Sequence, residues 1–250
     1  MPSSHILVLY NLLTVPVDHP QAESEREVTD TADAVADTLA KAGYRVSRLA
    51  IGNDPRPLAR ALDEDRPDVV FNLFEGVAER GLTEAFCIGL LEWFGVAFTG
   101  CPLPAVVMAH DKPRAKLLFR AAGLPTPESQ VIERLPAPIC RLRWPVILKP
   151  ASEDASVGLD QGSVVTDQPS FARRAEQLFE QFHAPVLAEQ FISGRELNVA
   201  LVEDPELRIL PISEIVFSSD MPWPIVTYDA KWAYGSVDDL STVPRCPANV

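Results

Sequence analysis

The chain has 250 residues, 47% hydrophobic and 23% charged, with a net charge of −13. This is the make-up of an ordinary globular protein of two or three small domains. No apolar run approaches bilayer-spanning length, and so acidic a chain weighs against a nucleic-acid partner, because phosphate-backbone binding needs a broad basic surface.

The first apolar run, "HILVLYNLLTVPV", has no basic residues before it and is broken by Asn11 and Pro16. It predicts a core strand and its exit loop rather than a signal peptide. Val28, Ala32, Val35, Leu39 and Ala42 then recur at spacings of four and three, which predicts a helix ending at Gly43. "YRVSRLA" and "DVVFNLF" read as further strands, the second nearly continuous in apolar residues, as a sheet covered on both faces requires. Leu82, Phe86, Leu90 and Trp93 mark another helix, followed by a short strand at "VAFTG". This order predicts an open parallel α/β domain, with functional groups at the carboxyl ends of its strands.

Beyond residue 100 the texture changes. "DKPRAKLLFRAAGLPTP" predicts a helix capped by Asp111 and closed by Gly123. Strands are predicted near 128–133 and 145–149, then a helix with Phe171, Ala175, Leu178 and Phe182 on one face. "APVLAEQFI", "RELNVALVE" and "LRILPISEIVF" make the remainder strand-rich, so the second half reads as α+β.

Cys87, Cys101, Cys140 and Cys246 have no C-x-x-C spacing, which argues against a zinc site or disulfide framework and favours a reducing cytoplasm. No G-x-G-x-x-G, Walker-type glycine loop or G-x-S-x-G elbow is present, which disfavours dinucleotide dehydrogenases, P-loop enzymes and serine hydrolases.

Only five of the 22 basic residues are lysines: Lys41, Lys112, Lys116, Lys149 and Lys231. Lys112 stands at a helix start, Lys149 at a strand end and Lys231 in an aromatic-flanked loop. Lysine is a compact, flexible point charge suited to phosphate oxygens. Taken alone, Lys149 reads as a strand-end lysine snorkelling to water; the three together point to an anion. In "LAEQFISGRELNV" the alternation puts Glu189 with Leu187 and Phe191, and Glu196 with Asn198, either side of a Ser193-Gly194 turn. Two carboxylates at a strand mouth suit ribose hydroxyls; solvated strand ends are the other reading.

"DVVFNLFEG", "LLEWFGVAFTG", "DKPRAKLLFRAAGLPTP", "PVILKPASEDASVG", "LAEQFISGRELNVALV" and "YDAKWAYG" with "CPA" together resemble the D-alanine–D-alanine ligase branch of the ATP-grasp superfamily, in order and spacing from about residue 65 to the end. The resemblance implies an α/β N-terminal domain (1–103), a central ATP-grasp lobe (104–185) and the start of a C-terminal lobe (186–250). It implies ATP between two antiparallel sheets, with Lys112 and Lys149 on its phosphates. The loop from Glu153 to Gly158 becomes a flexible flap over those phosphates through its backbone amides. Glu189, Gln190, Phe191 and Ile192 line the adenine pocket, Glu196 holds the ribose, and Lys231 approaches the terminal phosphate. Ser156 remains as a substrate-side serine, and Glu25 matches the carboxylate that receives the substrate ammonium group, an exposed helix-start acid being the other reading. Such ligases turn a carboxylate into an acyl phosphate, which an amine then attacks, so a small amino-acid or peptide-like substrate is implied. A homodimer is expected, with no membrane or nucleic-acid partner.

The chain departs from the family at Ala155, where a first loop serine is usual, at Glu75, where a histidine precedes glycine, and at Trp232, where tyrosine is common. It reaches Val250 without the R-x-D strand and E-x-N stretch that carry the family's Mg2+ ligands, so no metal ligand is assigned and the chain is read as a fragment. A non-catalytic nucleotide-binding protein and an ATP-grasp ligase forming another bond are the alternatives.

Overall fold

A computed structural model describes residues 4–13, 22–77, 80–203 and 205–250, with the backbone alone for 22–26. The chain divides into two units, Met1–Ala115 and Lys116–Val250.

In the first unit, strands β1 (His5–Asn11), β2 (Arg45–Ile51), β3 (Val69–Leu73) and β4 (Ala97–Phe98) alternate with helices. These are α1 (Ala22–Lys41), α2 (Arg56–Arg60, continued by a π-helical turn over Ala61–Asp65), α3 (Thr83–Phe94) and α4 (Leu103–His110). The four strands are parallel, as the sequence predicts, and lie in the order β2-β1-β3-β4. The pleat sends Val8 of β1 to one face, against Ala32 and Ala36 of α1, and Leu7 and Leu9 to the other, against Leu58, Leu62 and Leu91. Both faces are therefore covered, which is why β1 and β3 read as nearly continuous apolar runs.

Two sequence expectations are corrected here. Helix α3 forms where predicted, but its core-facing residues are Ala85, Cys87, Ile88 and Leu91, while Leu82, Phe86 and Trp93 are exposed, Trp93 at 88%. Helix α4 was not anticipated: its proline-rich approach hides an eight-residue helix.

Helix α5 (Lys112–Ala121) opens as expected, with the Asp111 carboxylate accepting from the Arg114 N–H at 3.0 Å. In the second unit follow β5 (Ser129–Ile132), β6 (Val146–Pro150), β7 (Val164–Val165), α6 (Gln168–Phe182) and β8 (Val186–Gln190). The strands form an antiparallel sheet, β5-β8-β6-β7, and α6 packs Phe171, Ala175 and Leu178 against Val146, Leu148, Val186 and Ala188. Helix α6 is capped by Asp167, which accepts from the Ser170 N–H.

The last region holds β9 (Glu196–Asn198), β10 (Leu201–Glu203), β11 (Leu207–Ile209), β12 (Ser213–Phe217), α7 (Tyr228–Trp232), α8 (Val237–Leu240) and β13 (Thr242–Arg245). A second antiparallel sheet runs β13-β12-β9, and β10 and β11 form a separate ribbon. The strand-rich stretches "RELNVALVE" and "LRILPISEIVF" each hold two strands. The first changes partner at Val199-Ala200, from β12 to β11. The second breaks at Pro211, which has no N–H for a ladder.

Candidate nucleotide site

At the carboxyl end of β3 the first unit fixes its backbone tightly. The buried Asn11 side chain, at the end of β1, donates to the Gly76 carbonyl and accepts from the Glu75 N–H at 2.8 Å. Gly76 sits at φ +95°, and a Cβ there would lie 2.8 Å from the Gly81 carbonyl oxygen, so only glycine fits. Glu75 is held by its backbone at this mouth with an exposed side chain.

The second unit builds its site on the face of the first sheet turned away from α6. In β6, Val146, Leu148 and Pro150 are buried, and Lys149 projects from the opposite face. The register pairs Ile147 with Glu189 and Lys149 with Leu187, so Lys149 and Glu189 are diagonal neighbours on one face. Lys149 ion-pairs with one oxygen of the Glu189 carboxylate. Lys116, from α5, takes the other at 2.5 Å and also donates to Thr126 Oγ1 at 2.8 Å. The side chains of Lys116 and Glu189 are 7% and 9% exposed, and that of Lys149 27%. Burial pushes the Glu189 carboxyl up, but the charge of Lys149 and the hydrogen bonds from both lysines outweigh it and hold the group below the ordinary glutamate range. Two ammonium groups against one carboxylate leave one positive charge in excess, on the side chain that reaches solvent.

After β6 comes the loop of Glu153–Gly158. Ala155 and Ser156 occupy successive left-handed conformations, φ 52° and 61°, which non-glycine residues adopt at a cost. Three hydrogen bonds to the segment around α7 hold them. Ser156 Oγ donates to the Val226 carbonyl at 2.9 Å, the Trp232 indole N–H to the Ala155 carbonyl at 3.0 Å, and the Tyr228 N–H to the Leu159 carbonyl at 2.9 Å. Gly158, at φ +76°, lies so close to Phe182 that a Cβ would meet its ring at 2.7 Å. The loop expected to be a flexible flap is therefore latched here. Glu153 within it is half-buried.

Lys231 lies in the short helix α7, not in a loop as the sequence suggested; Thr227 caps the helix by accepting from the Ala230 N–H at 3.1 Å. Thr227 is itself buried and donates to Asp238 Oδ2 at 2.6 Å. Glu196 opens β9. Partial desolvation raises its carboxyl above the ordinary value, and the charge of Lys231 pulls it back. The chain thus passes from the first antiparallel sheet to the second between Gln190 and Glu196. Ile192 is exposed there, and Phe191 meets Trp223 edge-on, ring centroids 5.4 Å apart.

Of the residues singled out in the sequence, Lys149 and Glu189 meet directly, Glu196 and Lys231 interact electrostatically, and Ser156 joins the loop latch. Lys112 is the half-buried first residue of α5, in the first unit. Glu25 lies on α1, with its side chain outside the described residues. Sequence reasoning missed Lys116. Its one signal was a second lysine four positions after Lys112 in a chain with only five.

The family described as "D-ala D-ala ligase C-terminus" matches residues 118–250. The D-alanine–D-alanine ligase of Paramagnetospirillum magneticum is 36% identical over 234 residues, covering 89% of this chain and 68% of that protein. The one from Methylobacterium radiotolerans is 35% identical over 216 residues, covering 85% and 65%. The chain thus spans about two thirds of the length of these relatives. Among solved structures, D-alanine–D-alanine ligase from Bacillus anthracis complexed with ATP superposes with a TM-score of 0.71 at 19% identity, over 100% of this chain and 73% of that one. The VanG D-Ala:D-Ser ligase of Enterococcus faecalis gives 0.66 at 18%, over 99% and 77%. The two antiparallel sheets of the second unit and the parallel sheet of the first are the ATP-grasp architecture of these ligases, and with sequence relatives at this level the chain belongs to the D-alanine–D-alanine ligase family, enzymes that form a peptide-like C–N bond.

Proposed function

We propose that this protein joins a small amino-acid carboxylate to an amine at the expense of ATP, in the cytoplasm where ATP is available. ATP supplies the phosphoryl group that makes the carboxylate an acyl phosphate, open to attack by the amine. The observation that carries this reading is the excess positive charge of the Lys116–Glu189–Lys149 cluster. It is partly desolvated, so its attraction for phosphate is screened less than that of a surface lysine.

In this reading Lys149 binds phosphate oxygens, and Lys112 keeps the phosphate contact implied by the family. The Glu153–Gly158 amides close over the phosphates, with Ser156 on the substrate side. Lys231 neutralises charge developing at the terminal phosphate. Gln190, Phe191 and Ile192, where the chain leaves the sheet, take the adenine edge and face, with Glu189 behind them. Glu196 accepts from ribose hydroxyls, and Glu25 receives the substrate ammonium. Among the described residues no three His, Cys, Asp or Glu side chains gather as a metal-binding set. The expected Mg2+ therefore has no donor set among them, and the steps given are those of the chain's own side chains. A homodimer is part of the proposal, and sedimentation velocity reads it.

Calorimetric titration with ATP tests the reading. Lys149→Ala removes a charge-assisted contact of roughly 1.5–3 kcal/mol, a loss of about 10- to 150-fold in affinity. Lys41→Ala, at the far end of α1, leaves affinity unchanged; equal affinities for the two variants overturn the phosphate assignment. Glu75 and Ala155 further lead us to expect weak phosphate release with D-alanine alone and faster release with a cationic or amide-bearing amine.

A further inference from the structure

We infer that Lys116 is a positioning residue for nucleotide binding: it satisfies Glu189 from within, so that the charge of Lys149 is left for an incoming phosphate. The inference rests on the phosphate reading of Lys149 and adds a residue that touches no substrate.

The division of labour follows from geometry. Glu189 is buried and presents two oxygens. Lys116 holds one of them and spends a second N–H on Thr126 Oγ1, and its side chain is only 7% exposed. Lys149 holds the other oxygen and keeps 27% exposure. The charged groups acting on Glu189 are these two lysines, from β6 and α5; the neighbouring strand β5 sets the uncharged Ser129 opposite it. Without Lys116 the cluster is one carboxylate and one ammonium. Glu189 then claims Lys149 as its sole counter-ion, the excess charge vanishes, and a phosphate must compete with a buried carboxylate for the same N–H groups. Isolated buried carboxylates are costly, so the surviving pair tightens rather than opens.

The test measures ATP affinity of the full-length protein by calorimetry, with thermal unfolding followed in parallel. Lys116→Met should weaken ATP binding about 10-fold at pH 7.5, on the scale of one charge-assisted hydrogen bond. The loss should shrink as pH falls, because a Glu189 deprived of Lys116 takes up a proton more readily and then releases Lys149. Lys116→Arg should bind within about 2-fold of the parent, because the charge is kept. The decisive variant is Lys116→Met with Glu189→Gln: it removes one charge of each sign, restores the excess on Lys149, and should recover most of the affinity. A merely structural Lys116 predicts that this double variant binds no better than Lys116→Met, and that outcome overturns the inference. If Lys149→Ala alone leaves ATP affinity intact, the phosphate reading itself fails. If Lys149→Ala weakens binding while Lys116→Met does not, only the role of Lys116 fails.

Discussion

The two sheets that shape the molecule are held by different forces. The parallel sheet of the first unit packs apolar side chains on both faces: Val8, Leu9 and Val70 are fully buried, as is Leu91 of the covering α3, and hydrophobic burial and close packing sustain it. The α6-facing side of the β5-β8-β6-β7 sheet is built the same way, but its other side buries a charged carboxylate between two lysines. A buried ion cluster contributes little net stability compared with well-packed side chains, yet removing one member is severe because the remaining charges are stranded. One region tolerates changes that preserve volume; the other tolerates changes that preserve charge balance.

The largest effects should break that contrast in opposite ways. Glu189→Ala strands Lys116 in the interior and should destabilise the protein by about 3–5 kcal/mol in urea unfolding. Leu9→Ala, an uncharged deletion in the other sheet, should cost about 2–5 kcal/mol through the cavity it leaves. Adding Lys116→Met to the first variant should recover part of its loss, whereas no charge change rescues the second. If Lys116→Met does not relieve Glu189→Ala, the stranded-charge account fails.

Acidification sharpens the same contrast with no mutation. The folded Glu189 carboxyl lies below its ordinary value, so the stability it contributes is fully present above about pH 4.3 and is lost as pH falls through the folded value. Unfolding curves from pH 6 to pH 3 should therefore steepen in their decline below that point. Glu189→Gln should flatten this part of the profile; an unchanged acid limb would show that other carboxylates dominate it.

The smallest predicted effect concerns the loop latch. Trp232→Phe keeps the ring and removes one N–H donor, which should cost about 0.5–1.5 kcal/mol at most in global stability. It should raise amide exchange across 154–159 while leaving the first unit unchanged. Equal exchange in both proteins would mean that the indole bond does not restrain the loop.

Much of the fold was legible in the chain because strong local patterns coincide with burial. "HILVLY" is buried on both faces, "DVVFNLF" sends Val70 and Phe74 into one core and half-buries Phe71 and Leu73 against the other, and the α6 stripe faces its sheet. The exposed stripe of α3 misled because that helix is apolar nearly all round, and its buried side is the one with the smaller residues Ala85 and Cys87. Lys149 announced itself by ending an apolar run. Lys116 did not, because what makes it a core residue is Glu189, 73 positions further on, and no local pattern records such a contact. The switch of partners at Val199-Ala200 was hidden because strand identity there depends on which strand lies alongside, β12 before it and the adjacent β11 after it, while the residues at the switch stay apolar.

The Trp232 indole reads the carbonyl of residue 155, not its side chain. Where loop closure depends on two matched side chains, a change at either one loosens it, and the pair can only drift together. Here position 155 is relieved of that duty. Glycine, asparagine or aspartate, all at ease with a positive φ, can replace alanine while the latch stays intact. Position 155 is thus mutationally open within a loop of positive-φ residues, and a new side chain can be tried there by evolution, or by design, without first rebuilding the closure.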